Sequence, residues 1–92
     1  MQTAHAAPDA RRAGPAVAVA QRRHPRAEAQ YRRGLALGER NEWAKAAAAF
    51  TRAVRYNPDD AVFWLNLAHA HVKTGELEQA ADAARRATAI DP

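Results

Sequence analysis

"DDAVFWLNLAHAHVKTGE", Asp59 to Glu76, decides how the rest of the chain is read. Its residues Ala61, Trp64, Leu65, Ala68 and Val72 recur at steps of three and four, the spacing that lines one side of an α-helix. Asp59 or Asp60 supplies the N-cap. A short carboxylate accepts from the free N–H groups of the first turn and puts negative charge at the positive end of the helix dipole. Gly75 supplies the stop, because glycine takes the left-handed backbone that closes a helix. The following "ELEQAADAARRATAI" starts with acids (Glu76, Glu78) and carries Arg85 and Arg86 late, the charge order of a second helix.

The same plan lies upstream. A helix is expected from about Ala27 to Glu39, a turn at Arg40-Asn41, and a helix from about Glu42 to Tyr56. Asn41 stands where Gly75 stands, and asparagine readily adopts positive φ. A slide of 34 residues aligns Ala27 with Ala61, Ala36 with Ala70, Glu42 with Glu76, Ala46 with Ala80, Ala53 with Ala87, and Pro58 with Pro92. With Trp64, Leu67, Ala68 and His71 in the second copy, and Gly34, Ala46, Phe50, Ala53 and Pro58 in the first, the chain resembles a pair of tetratricopeptide repeats.

The resemblance implies an all-α fold, an α-α superhelix of two helix-turn-helix hairpins (four helices), with units at 27–60 and 61–92. The departures are specific. Gln30 and Arg33 stand where the pattern has large apolar residues, and are read as a polar terminal cap. Ala84 replaces the large residue at the Phe50 position, which leaves a thinner core. Repeat units do not bury their faces alone, so Ala87 and Ile90 are expected to be partly exposed. The chain then reads as a piece of a longer repeat protein, or as one completed by a second copy in a homodimer or by another protein.

Residues 1–26 differ in kind. They are rich in alanine, arginine and proline and contain no Leu, Ile, Phe, Tyr or Trp. Such a segment does not bury enough apolar surface to offset its ordering entropy, so a mostly disordered arm is expected. Competing readings are a secretory signal around Ala13–Ala20, an organelle transit peptide, and a tether to acidic surfaces. Pro25 suits the first position of a helix, where its missing N–H is not needed.

Five arginines against Asp9 give this arm a net +4, while residues 27–92 balance nine bases with nine acids. The repeats therefore have no excess charge to attract phosphate, and nucleic acid is not an expected partner. The 92 residues hold no cysteine and no apolar run of membrane-spanning length, so neither a disulfide framework nor a membrane span is expected. Cytoplasmic placement is the expectation, with the periplasm as alternative.

No motif for catalysis stands out. Gly34 and Gly38 sit mid-helix, where they suit close helix crossings better than a phosphate loop. His69 and His71 point to different sides of a helix and do not chelate jointly. No metal, cofactor or enzymatic activity is expected of this chain.

The resemblance places a peptide-binding groove on the first helix of each unit. Its positions here are Glu28, Tyr31, Leu35, Gly38 and Glu39, then Val62, Leu65, His69, Val72 and Lys73, with Asn66 where many members hold a peptide backbone. Members that clamp acidic chaperone tails carry Lys and Asn where this chain has Tyr31 and Leu35, so that ligand is disfavoured. The expected function is capture of another protein, as an apolar or amphipathic segment, on Tyr31, Leu35, Leu65, Asn66 and Val72. The alternative is the front portion of a larger enzyme, such as a glycosyltransferase or sulfotransferase.

Overall fold

The computed structural model describes residues 24–92, which form four helices: α1 (Pro25–Glu39), α2 (Trp43–Tyr56), α3 (Ala61–Thr74) and α4 (Leu77–Ile90). There is no strand among the described residues. α1 packs on α2, α2 on α3, and α3 on α4, two hairpins stacked in sequence order. The expected arm, and the signal, transit and tether readings of it, lie outside the described residues up to residue 23. Pro25 and Arg26, counted above with that segment, belong to α1; His24 is its N-cap, with Nδ1 accepting from the Arg26 N–H at 3.0 Å.

The 34-residue period is written in backbone hydrogen bonds. Asn41 and Gly75 both have positive φ, 62° and 82°. In each case the next N–H reaches back to close the finished helix, Glu42 to the Leu37 carbonyl at 2.9 Å and Glu76 to the His71 carbonyl at 2.8 Å. Asn57 and Asp91 end α2 and α4 alike, their N–H groups donating to the Ala53 and Ala87 carbonyls at 2.9 Å. Of the two candidate caps for α3, Asp60 does the work: its Oδ1 accepts from Val62 and Phe63 N–H. Helices α2 and α4 start on Glu42 and Glu76 without a side-chain cap bond. Each carboxylate turns instead to local cations and donors. Lys45 first, with Arg40, holds the Glu42 carboxyl below its ordinary range; His71 first, with Thr74, does the same for Glu76.

The core runs along the stack through Leu37, Phe50, Val54, Phe63 and Leu67, with alanines between them. Alanine at Ala46, Ala49, Ala53, Ala80, Ala83 and Ala87 lets each hairpin close tightly, and all six are buried. Ala87 thus corrects the expectation of partial exposure: it faces α3 rather than the open side of α4, whereas Ile90 is exposed. Glycine permits the closest approach in the first hairpin. A Cβ on Gly34 would lie 2.5 Å from the Phe50 ring, and one on Gly38 2.9 Å from Trp43.

The apolar face read on α3 is also corrected. Phe63, Leu67 and Ala70 are buried on one side and Ala68 on another, while Leu65 and Val72 are each 53% exposed. A helix wedged between two others needs two buried sides, so a single-stripe reading merges core and surface residues. Trp64 is half-buried; its indole N–H donates to the Pro58 carbonyl at 2.8 Å and Arg86 lies 5.1 Å over its ring. Gln30, at the matching place in α1, is half-buried with Oε1 unpartnered among the described residues, and Arg33 is exposed.

Candidate functional site

Helical geometry brings the α3 residues of the expected groove together. Val62, Leu65, Asn66, His69, Val72 and Lys73 fall within roughly 120° of arc at about 100° per residue. Val62, Leu65, His69, Val72 and Lys73 are exposed and Asn66 is half-buried. Where this face meets α1 and α2, a concave pocket of about 370 Å³ opens. Gly34, Leu35, Gly38 and Glu39 of α1, Trp43 and Phe50 of α2, and Asn66 and His69 of α3 line it.

The pocket exists because of the two glycines. Without side chains at Gly34 and Gly38, the flank of α1 is bare backbone, and the rings of Phe50 and Trp43 settle against it. Trp43 is braced further: the His69 ring meets it edge-on at 5.1 Å between centroids, and Lys73 Nζ lies 5.7 Å from its ring centre. Apolar walls with a small polar edge of Asn66, His69 and Glu39 make a site suited to an apolar side chain next to a backbone or polar group.

Leu35, Gly38, Glu39, Asn66 and His69 of the expected groove line this pocket, whereas Val62, Leu65 and Val72 lie beyond it on the same side of α3. Tyr31 is engaged elsewhere: its ring packs 4.8 Å from that of Phe63 and 6.0 Å from that of Phe50, against the core. Asn66 Nδ2 donates to the Val62 carbonyl at 2.9 Å, so clamping a peptide backbone with that group requires it to leave its own helix. His71 is turned away to Glu76, with Nδ1 and Oε1 2.9 Å apart.

The sequence reading missed Trp43 and Phe50 as lining residues, because the groove positions lie on the first helix of each unit. The signal was there in Gly34 and Gly38, one turn apart: a bare strip on one helix exposes the rings of the next. Among the described residues no three His, Cys, Asp or Glu side chains cluster as a metal site, and no helix is long and apolar enough to cross a membrane.

A family model described as tetratricopeptide repeat matches residues 31–92, about two thirds of the chain. The chain belongs to the tetratricopeptide repeat family. Tetratricopeptide repeats generally mediate contacts between proteins and are generally non-catalytic scaffolds. No curated protein and no solved structure matches the chain.

Proposed function

We propose that this tetratricopeptide repeat chain captures an apolar or amphipathic segment of another protein along α3, with one large apolar side chain of that segment seated in the pocket beside Trp43. One observation carries this reading: among the described residues, four of the seven exposed large apolar ones, Leu35, Val62, Leu65 and Val72, lie on the face that borders the pocket. Apolar surface gathered on one face, rather than scattered, is the pattern of a contact surface. His69 and Asn66 at the edge supply groups for a peptide backbone, and Lys73 beside Trp43 favours an acidic residue flanking the anchor.

Selection from a random peptide library against the full chain tests the reading. Enriched peptides are expected to share one aromatic or leucine anchor, and Leu65→Glu is expected to lower their affinity at least about tenfold with unchanged helicity. Peptides that bind the Leu65→Glu chain equally well would place the contact elsewhere.

A further inference from the structure

The two hairpins differ in what covers their second helix. On α2 a row at heptad spacing, Trp43, Ala47, Phe50, Val54 and Asn57, is covered by its neighbours: Ala47, Phe50, Val54 and Asn57 are buried, and the Trp43 ring meets His69 of α3. The matching row on α4 is Leu77, Ala81, Ala84, Thr88 and Asp91. Here Leu77 is 64% exposed, Ala81, Thr88 and Asp91 are exposed, and Ala84 is half-buried. Leucine and two alanines at these steps make a seam that a second helix can approach closely. It lies off the α3-facing alanines Ala80, Ala83 and Ala87, and away from the pocket.

Charge selects the occupant. Glu78 and Arg85 flank this seam on one side, two turns apart, and opposite in sign. Neither is held firmly: among the described residues Glu78 takes no ion pair, and Arg85 reaches only Asp82, at 3.7 Å. A second α4 laid antiparallel on the seam puts each Glu78 opposite the other copy's Arg85, so both pairs form by symmetry. A parallel pair puts Glu78 and Arg85 of the two copies on opposite flanks of the seam, each facing the side of Ala80 and Ala87, so neither charge pair forms.

We propose that two copies of this chain associate through α4 in an antiparallel, isologous contact, with Leu77, Ala81 and Ala84 in the seam and Glu78 paired to Arg85 across it. The contact closes on itself, so it yields dimers and not filaments.

Sedimentation of the full chain across about 1 µM to about 1 mM covers the affinities expected of such a contact. A species of twice the 10.0 kDa chain mass is expected to accumulate with concentration. Glu78→Arg or Arg85→Glu alone sets like charges against each other twice and is expected to weaken association by about tenfold. The double variant E78R/R85E is expected to restore it, and a mixture of the two single variants to form heterodimers tighter than either alone. Circular dichroism checks that all of them stay helical. A monomer at every concentration overturns the proposal, as does a dimer indifferent to the charge swaps or a series of ever larger species.

Discussion

The two hairpins share the same turn and helix-end hydrogen bonds and divide their bulk differently. In the first, the large ring sits on the second helix: Phe50 lies against Gly34 and is 2% exposed. In the second, the corresponding pair is Ala84 and Ala68, and the large ring has moved to the first helix as Trp64, where the first repeat has Gln30. Interior volume is thus supplied in both hairpins from different positions, as close packing requires of volume and not of identity. The consequence is functional. Bulk on α2 opposite glycines on α1 leaves a pocket beside Trp43, while bulk at Trp64 with alanines on α4 leaves a low seam.

Substitutions that exchange the two designs break this contrast most directly. Phe50→Ala empties the place where both hairpins meet and is expected to cost about 3–5 kcal/mol, a large share of the stability of a chain this small. Loss of the thermal transition would show it. Gly34→Ala forces a methyl into the Phe50 ring; a net loss of about 1–3 kcal/mol is expected, although alanine is the better helix former. Ala68→Gly, the mirror change, removes only propensity and some contact and is expected to cost about 1 kcal/mol. Equal losses from the two would show that Gly34 does not have a special fit.

The turns sharpen the comparison at smaller scale. Gly75→Ala strains a backbone at φ 82° and is expected to lose roughly 1–2 kcal/mol in chemical denaturation. Asn41→Gly, at the same place in the first repeat, is expected to stay within about 0.5 kcal/mol of the parent chain. Asp60→Ala leaves the Val62 and Phe63 N–H groups without their acceptor and is expected to cost about 1 kcal/mol.

Smallest is the response to acid. Glu42 and Glu76 are held below their ordinary value of 4.5 by cations and donors present in the fold. Their contribution is therefore present above that value and lost as pH falls through the lower folded one. Glu76 is exposed and Glu42 is half-buried but still open to solvent, so the effect is slight. Glu42→Gln and Glu76→Gln are each expected to flatten the thermal midpoint between pH 5 and pH 3 relative to the parent chain.

Much of this architecture is legible from residues alone. The caps and stops at Asp60, Asn41 and Gly75, the helix opening at Pro25 and the alignment of 34 residues depend on short-range backbone chemistry that neighbours in sequence supply. The site is legible only in part. Leu35, Asn66 and His69 line the pocket, but Tyr31 is drawn to Phe63, a residue 32 positions away on another helix. The stripe on α3 was misdrawn for the same reason, since a helix with neighbours on two sides carries two buried faces that overlap in a one-dimensional pattern.

Sequence by itself thus determined where helices begin and end and that they repeat, because capping, φ preference and spacing act over one or two turns. Tertiary structure decided which apolar residues are core and which are surface, why Trp43 and Phe50 wall a pocket, and that Ala87 is covered while Leu77 is bare. Those outcomes depend on which helix lies across each face, a relation between residues distant along the chain that local chemistry does not encode.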